Sequence, residues 1–500
     1  MGAHYDRMIA IRREVSEIHA AVSLMEWDQE TYMPRKGGDA RSRQLATLSG
    51  IAHARFTSDE MGDAIHGAAT ERLNETERVN LREIAWSFDR ARRVPTPLVK
   101  AFAETGSKAV EVWREARPAN DFATFAPWIA RLVDLRKEYA EAVGYAHEPY
   151  DALLEDYEPG ASTEDIARTF EQLRGPLVDL VQRIQESWIV PRTDFLSRTF
   201  PIDDQRRFAV MAAERMGFDA EAGRLDVSPH PFCTTMSVHD VRLTTRYSET
   251  MPAQSLFGVI HEAGHGLYEQ GFDPEHEGTP AGTAVSLGIH ESQSRLWENL
   301  IGRSRAFWRF FFPQFVQTFP SQMQDVSEEE FYAAINRVAP SLIRVEADEV
   351  TYNLHILLRF EIERDLFKGT LSVNDLPAVW NARMRAYLGL EPPCDRDGVL
   401  QDIHWAHGSF GYFPTYTLGN LYAAQFFDAV TAAMPGLLDQ IARGELLPLR
   451  EWLREHIHRL GMTFRAHDLV QHVTGQALSS SSFIAYLQRK FGELYRLNFP

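Results

Sequence analysis

The stretch HEAGHGLYEQ, residues 261–270, places two histidines four positions apart with a glutamate directly after the first. On a helix, residues at positions i and i+4 share one face, so His261 and His265 could bind one metal ion from adjacent turns. Glu262 would then lie beside the ion, where it could take a proton from a bound water. The pattern predicts the zinc-binding helix of a hydrolase.

A catalytic zinc ion needs a third protein ligand and one open coordination position. Glu291 is the natural candidate, because the segment GIHESQSRLWENL, residues 288–300, is predicted to be a helix that can pack across the first. His290 and Glu298 are alternatives for this ligand. No third histidine follows His265 in the spacing H-E-x-x-H-x-x-G-x-x-H, so we expect a site of two histidines and one glutamate.

The composition is that of a large folded protein with an acidic surface. The chain has 500 residues, of which 44% are hydrophobic and 24% charged, and these shares are ordinary for a globular protein. This length allows a sizeable core and exceeds that of most single domains. A formal net charge of −18 repels phosphate backbones, so nucleic acid is not expected to be a partner.

The number of cysteines and the lengths of the apolar runs indicate the cellular location of the protein. Cys233 and Cys394 are the only cysteines, too few for a disulfide framework or a thiolate zinc site. The start of the chain mixes charges into its apolar positions, unlike a secretory signal, and no apolar run is long enough to span a membrane. We therefore expect a cytoplasmic protein with no membrane partner.

Helical periodicity dominates the chain. Ser162 and Asp165 have the spacing of a capping box before an apolar stripe, and SEEEFYAAI, residues 327–335, offers another capped start. Near the start of the chain, apolar residues spaced by four and three form one stripe, namely Ile11, Val15, Ile18, Val22 and Met25. These patterns predict a mainly α fold.

Three further segments bear on a functional site. A long helix is predicted from about Leu342 to Phe367. The β-branched residues of VRLTTRY, residues 241–247, predict a strand. The segment 391–420 interrupts helical periodicity with proline, glycine and aromatic residues, and it is predicted to be a long functional loop.

Six short motifs make one family recognisable. Together they resemble the motifs of the M32 metallocarboxypeptidases, the family of the thermostable Taq enzyme, and WDQETYMP (27–34) and FPTYTLGNLYAAQ (413–425) also resemble segments of that family. The six motifs, in chain order, are HPF (230–232), DVRLT (240–244), HEAGH (261–265), HESQ (290–293), IRVEAD (343–348) and GVLQDIHW (398–405).

The resemblance implies a fold and an activity. The fold would be neurolysin-like and mainly helical, with a deep central groove between two helical halves and a small β element near the active site. Residues 1–500 would form a single peptidase unit with its catalytic motifs in 230–420. The activity would be zinc-dependent removal of single C-terminal residues from peptides, with broad specificity, by a protein that is generally a homodimer.

The resemblance also implies roles for single residues. His261, His265 and Glu291 would hold one Zn²⁺ per chain, although imidazole and carboxylate ligands also accept Co²⁺ or Mn²⁺. Glu262 would act as the general base that assists attack of a zinc-bound water on the peptide carbonyl. In related peptidases a histidine and a tyrosine hold that carbonyl. His404 and Tyr416 are the favoured candidates.

An enzyme that acts on a free C-terminus must also recognise a terminal carboxylate. Arg344 is the first candidate because its fork can bond both oxygens. The alternative for Arg344 is a surface ion pair with Asp348, at i,i+4 on the predicted helix. His230 and Arg242 could also line the pocket, with a capping or structural role as the alternative for each.

Tyr412 belongs to the same aromatic segment as His404 and Tyr416, and buried packing is the alternative to substrate binding for it. The expected partners are peptide substrates with a free C-terminus. An endopeptidase or aminopeptidase on the same metal site is the nearest alternative function. A non-catalytic peptide-binding protein is another, but the intact Glu262 argues against it because a binder needs no base.

Overall fold

The computed structural model describes residues 2–499, which form a mainly helical protein with one small sheet, as predicted. The first helices are α1 (Ala3–Thr31), α2 (Gly38–Phe56), α3 (Asp59–Ala68), α4 (Glu75–Arg93), α5 (Thr96–Ala119), α6 (Phe122–Val143), α7 (Pro149–Leu154), α8 (Thr163–Glu186) and α9 (Ile202–Met216). The strands β1 (Gly223–Val227), β2 (Cys233–Ser237) and β3 (Asp240–Thr245) follow. None of the helices within residues 2–499 is both long enough and apolar enough to cross a bilayer.

The helices after the sheet contain the motifs HEAGH, on the first of them, and HESQ, on the second. They are α10 (Pro252–Glu269), α11 (Leu287–Arg295), α12 (Arg305–Thr318), α13 (Pro320–Met323), α14 (Glu328–Ile335), α15 (Tyr352–Lys368), α16 (Leu376–Leu388), α17 (Pro414–Ala433), α18 (Leu437–Ala442), α19 (Leu447–His456), α20 (Ala466–Thr474) and α21 (Ser481–Tyr495). A π-helical turn, Leu296–Ile301, continues α11.

The predicted helix starts are confirmed where a side chain caps them. The Ser162 hydroxyl accepts the backbone N–H of Asp165 at the start of α8, which satisfies one of the free amides of the first turn. Ser327 and Glu330 form a complete capping box at the start of α14.

The predicted apolar stripe lies on α1. Ile11 belongs to a small hydrophobic cluster and Val15 is buried, whereas Ile18, Val22 and Met25 are half-buried. The cluster is formed by α1, α3 and α4. A second and much larger cluster extends through the chain from Ala109 to Tyr495, so the segments with the motifs share one core.

The sheet has the strand order β1-β3-β2, with β1 parallel and β2 antiparallel to β3. The prediction of a strand at 241–247 is confirmed by β3. Gly266 of α10 lies against Leu243 of β3, and a Cβ atom at Gly266 would lie 3.0 Å from the Leu243 side chain. The small β element therefore supports the helix that contains HEAGH.

The prediction of one helix from about Leu342 to Phe367 is wrong at its start. Arg344 lies in a short 3-10 turn, Arg344–Glu346, and α15 begins only at Tyr352. The physical reason is Asp348, whose carboxylate accepts the backbone N–H groups of Val350 and Thr351 and replaces the helical bonds that would otherwise run through this segment.

The prediction of a loop over 391–420 is correct for most of its length. The chain is irregular up to Phe413, apart from the short 3-10 turns Asp395–Asp397 and Ile403–Trp405. From Pro414 onwards it is helical, because proline suits the first turn of a helix and α17 begins there.

Candidate active site

The two histidines of HEAGH lie on one face of α10, as the i,i+4 spacing predicts. The ring centroids of His261 and His265 are 4.9 Å apart, and both side chains are largely buried with a small exposed fraction. The neighbouring positions of α10 on the other faces are apolar and buried, which keeps the helix and its histidines in place.

Glu291 of α11 faces both histidines. Its Oε2 atom lies 3.7 Å from His261 Nε2 and 3.5 Å from His265 Nε2. The three ligand atoms all lie within 4.8 Å of one another. The spacing between two histidine nitrogens and one carboxylate oxygen is thus compatible with a single shared metal ion.

A glycine between the two histidines allows α11 to cross α10 closely. A Cβ atom at Gly264 would lie 2.7 Å from Ser294 Cα and 2.8 Å from the carbonyl oxygen of Gln293, both on α11. Any larger residue at this position would push α11 away. The glycine of HEAGH therefore helps to bring Glu291 within reach of the histidines.

The two alternatives for the third ligand occupy outer positions. Glu298 Oε2 lies 2.9 Å from His261 Nδ1, and His290 Nδ1 lies 2.5 Å from His265 Nδ1. The other ring nitrogen of His290, Nε2, lies 2.7 Å from the carboxylate of Glu269. Because these contacts occupy the Nδ1 atoms, they orient both imidazoles with Nε2 toward Glu291.

The protonation states of His265 and Glu291 suit a cation. Burial lowers the pKa of His265 to about 3, so its imidazole is neutral at pH 7. Burial alone would raise the pKa of Glu291, but the nearby charges of Arg295 and His261 lower it well below its usual range. Neutral imidazole and ionised carboxylate are the forms that bind metal.

Glu262 differs from Glu291 in its surroundings. Its side chain is buried beside the histidines, and this burial raises its pKa to about 7. A carboxylate with a pKa near neutrality can take up and release a proton at working pH. The two glutamates therefore differ chemically, one held ionised and the other poised to exchange a proton.

Tyr416 of α17 and Tyr412, two residues before that helix begins, lie side by side near Glu291. A Cβ atom at Gly419 would lie 2.6 Å from Glu291 Cγ, so this glycine lets α17 pack directly against the Glu291 side chain. Tyr416 lies one turn before Gly419, and the Tyr412 and Tyr416 ring centroids are 5.3 Å apart. Tyr412 is half-buried and its ring also packs against Tyr157.

His404 joins this group from the preceding loop. Its Nε2 atom lies 3.5 Å from the Tyr416 hydroxyl, and its ring centroid is 5.4 Å from that of Tyr412. Burial lowers the pKa of His404 to about 4, so its ring is neutral at pH 7. The structure thus brings His404, Tyr412 and Tyr416 together, as the sequence predicts.

Arg344 is buried beside Tyr416 instead of pairing with Asp348 on a helix surface. Its Nε and Nη2 atoms donate to Asp402 Oδ1 at 3.1 and 2.9 Å, and its Nη1 donates to the Tyr352 hydroxyl. The guanidinium carbon lies 5.2 Å from the Tyr416 ring centroid. The surface ion pair with Asp348 is therefore wrong, because Asp348 is used to start α15.

The other two substrate-binding candidates lie at the sheet. Arg242 forms two hydrogen bonds with Asp240 and stacks on Trp27 at 4.3 Å. His230 is exposed just before β2, and its carbonyl accepts a hydrogen bond from the Ser228 hydroxyl. Neither contact supplies a direct link to His261, His265 or Glu291.

Comparison with known proteins gives the family. A model of the family described as Carboxypeptidase Taq (M32) metallopeptidase matches residues 7–491. This chain belongs to the M32 metallocarboxypeptidase family. It is therefore a peptide hydrolase of the metallocarboxypeptidase type, and its substrates are peptides.

Individual relatives agree with this M32 assignment. Thermostable carboxypeptidase 1 of Thermus thermophilus is 46% identical, with 99% of each chain covered. Carboxypeptidase 1 of Bacillus subtilis is 38% identical, with 97% of each chain covered. Among solved structures, the M32 carboxypeptidase from Deinococcus radiodurans R1 has a TM-score of 0.97 at 40% identity, covering 99% of this chain and 100% of that chain.

A further M32 structure, a carboxypeptidase of Pyrococcus furiosus, has a TM-score of 0.95 at 38% identity and covers 98% of this chain and 99% of that chain. Such scores over nearly the whole chain confirm the predicted fold class, mainly helical with a small sheet. A metallopeptidase family together with the group of His261, His265 and Glu291 indicates a divalent metal ion.

Sequence reasoning missed several residues of this M32 site. Asp402 holds both Arg344 and Arg359, and Arg295 donates to Glu291 Oε1 at 2.7 Å. Asp402 could have been noticed because it lies two residues before His404 in the motif GVLQDIHW. Arg295 also had a local signal, since it lies four residues after Glu291 on the same helix.

A buried glutamate, Glu158, links the start of α11 to α17 through hydrogen bonds. Glu158 accepts the backbone N–H of Gly288 and the hydroxyl of Tyr422, each at 2.9 Å. Its burial raises its pKa from 4.5 to about 7. The folded protein therefore holds a proton that the unfolded chain releases between these two pH values.

The stability that this proton contributes should be complete below about pH 4.5 and lost as the pH rises to about 7. The shift corresponds to roughly 3 kcal/mol. We expect Glu158→Gln, which cannot titrate, to show a smaller fall in Tm between pH 5 and pH 8 than the unmodified protein, as measured by calorimetry. Parallel Tm curves for the two proteins would contradict this.

Proposed function

We propose that this chain is a zinc-dependent metallocarboxypeptidase that removes single C-terminal residues from peptides with broad specificity. The main support is the group of His261, His265 and Glu291, with ligand atoms within 4.8 Å of one another, beside the buried Glu262. Residues 1–500 would act as one peptidase unit. The family resemblance further suggests a homodimer, and the low cysteine count fits a cytoplasmic location.

The donor set fits zinc. Two imidazoles and one carboxylate form a common ligand set of catalytic zinc sites, and one ion per chain would be held. A bound zinc ion would activate a water molecule and polarise the peptide carbonyl as a Lewis acid. Co²⁺ and Mn²⁺ also accept these donors. Elemental analysis of the purified protein would identify the bound metal.

Glu262 is proposed as the general base and then the general acid. Its carboxylate takes a proton from the attacking water and later delivers it to the nitrogen of the leaving residue. The new C–O bond forms first and places negative charge on the carbonyl oxygen. The C–N bond then breaks as the amine takes the proton from Glu262, and the second proton of the water stays with the new carboxyl group. The position of Glu262 beside the three ligand residues supports both halves of this exchange.

His404 and Tyr416 are proposed to hold the peptide carbonyl oxygen while negative charge develops on it. The Tyr416 hydroxyl and a neutral imidazole at His404 are both hydrogen-bond donors, and they lie 3.5 Å apart. Burial raises the pKa of Tyr416 well above its usual value. The hydroxyl therefore keeps its proton and can donate it.

Arg344 is proposed to bind the terminal carboxylate. Asp402 accepts hydrogen bonds from both Arg344 and Arg359, so this buried cluster has two positive groups for one negative group. The excess positive charge favours an incoming carboxylate in a site of low dielectric. Tyr412, His230 and Arg242 are proposed as further residues that line the peptide site.

The activity can be tested on a pair of short peptides that differ only in a free or amidated C-terminus. We expect release of the terminal residue from the free acid and almost none from the amide. Arg344→Ala should lower activity on the free acid by about 10- to 150-fold, since a charged hydrogen bond left unmade costs about 1.5–3 kcal/mol. Arg344→Lys should restore only part of it, because it keeps the charge without the fork.

The same assay separates the alternatives. An endopeptidase would cleave both peptides equally, an aminopeptidase would release the N-terminal residue, and a peptide-binding protein would release nothing. If Arg344→Ala kept the full preference for acid over amide, the carboxylate would be bound elsewhere, and Arg242 would be the next residue to replace. Arg337, which is exposed, donates to Thr193 and is not assigned to the site, offers a control arginine.

A further inference from the structure

The loop that contains His404 is fastened to α15 at two points. Arg359 Nε donates to Asp402 Oδ2 at 2.6 Å, and Glu363 Oε1 accepts the indole N–H of Trp405 at 2.7 Å. Asp402 lies two residues before His404, and Trp405 follows it directly. Two fully buried side chains of one helix therefore hold the chain on both sides of His404.

Glu363 holds the far end of the same segment as well. Its Oε2 accepts the backbone N–H of Gly411 at 2.9 Å and the hydroxyl of Tyr150 at 2.6 Å. Gly411 directly precedes Tyr412. One carboxylate thus receives donors from both ends of the segment 405–411, and only an acceptor with two oxygens can take all three bonds.

Arg359 and Glu363 have the i,i+4 spacing at which an arginine and a glutamate commonly form an ion pair along a helix. Within residues 2–499, no ion pair or hydrogen bond joins these two side chains, and each instead bonds to the loop. Burying an ionisable group is costly unless it is bonded. The bonds that compensate for the burial of Glu363 are mainly those to the loop.

We propose that Glu363 is a positioning residue for the peptidase reaction, which fixes the segment 405–411 so that His404 and Tyr412 stay in register with Tyr416. The inference rests on the proposed function, in which His404 holds the substrate carbonyl. Displacement of a catalytic group by about 1 Å can cost on the order of 100-fold in rate. Loosening this segment should therefore lower turnover with the metal group intact.

The test compares Glu363→Gln with the unmodified full-length, zinc-loaded protein. A glutamine has one acceptor oxygen and an NH₂ group, so it cannot accept all three donors. We expect kcat on a free-acid peptide to fall on the order of 10- to 100-fold, with KM and zinc content unchanged. Hydrogen–deuterium exchange of the peptide covering 405–413 should become faster, because the segment loses one of the two carboxylate oxygens that hold Trp405 and Gly411.

A second variant, Trp405→Phe, tests the proposal even if Glu363→Gln does not fold. Trp405→Phe removes one of the three donors and keeps an aromatic ring, so it should lower kcat less than Glu363→Gln does. In the double variant, the tryptophan change should add less than it does alone, since the glutamine has already loosened the same segment. If Glu363→Gln does not fold, a fall in kcat of zinc-loaded Trp405→Phe supports the proposal and an unchanged kcat overturns it.

Glu83 offers a matched control, because it is another buried carboxylate and pairs with Arg82 and Arg465, away from the loop. Glu83→Gln should lower Tm and leave kcat and exchange at 405–413 unchanged. If Glu363→Gln lowered Tm in the same way but kept full kcat, Glu363 would be only structural and the proposal would be overturned. Failure of the proposed function looks different, since the unmodified protein would then release no C-terminal residue.

Discussion

Replacement of Glu262 by glutamine is expected to abolish turnover while the metal ion stays bound. The two side chains have nearly the same size and burial, but an amide cannot take a proton from water at neutral pH. General acid–base groups contribute on the order of 10²- to 10⁴-fold to rate, so kcat should fall by at least this range. The measurement is kcat on a free-acid peptide, with metal content determined on the same sample.

The reason to expect retained metal is geometric. The three atoms that would bind the ion belong to His261, His265 and Glu291, and Glu262 is not among them. A Glu262→Asp variant keeps a carboxylate on a shorter side chain and should recover part of the rate. If a metal-loaded Glu262→Gln enzyme turned over at close to the normal rate, another residue would have to be the base.

The local parts of this site could be predicted from the sequence. The i,i+4 spacing of His261 and His265 places both on one face of α10, and the spacing survives any packing of that helix. The strand at 241–247 and the capped starts at Ser162 and Ser327 have the same local character. Each depends on residues that lie only a few positions apart in the sequence.

Contacts between distant segments could not be predicted in this way. Arg344 pairs with Asp402, 58 residues further along the chain, and no periodic pattern connects the two. The expected partner Asp348 lies at a suitable spacing, but it bonds to backbone N–H groups at the start of α15. A spacing shows which side chains could meet on a helix, and it fails when a carboxylate prevents that helix from forming.

The three candidates for the third ligand illustrate the same limit. His290, Glu291 and Glu298 all lie on the helical segment after Ser286, and the sequence favours Glu291 only by position. In the structure the crossing of α10 and α11 at Gly264 decides which side chain faces the Nε2 atoms. His290 and Glu298 meet the Nδ1 atoms on the outer side.

Replacement of Glu291 by alanine is expected to remove the metal ion and with it all turnover. Only two protein ligands would remain, and the carboxylate that offsets the positive charge of the ion would be lost. His261→Ala should have the same result for the same reason. Metal content after dialysis against metal-free buffer, followed by re-addition of zinc, measures both effects.

Glu298→Ala provides the matched control for the loss of Glu291. Glu298 lies on the same helical segment and bonds to His261 Nδ1, so its loss should weaken metal affinity by about 10- to 100-fold and leave three ligands. Re-added zinc should therefore restore activity to Glu298→Ala but leave Glu291→Ala inactive. Full metal occupancy in Glu291→Ala together with loss in Glu298→Ala would reverse the two roles, and loss only in His290→Ala would assign the third ligand to that histidine.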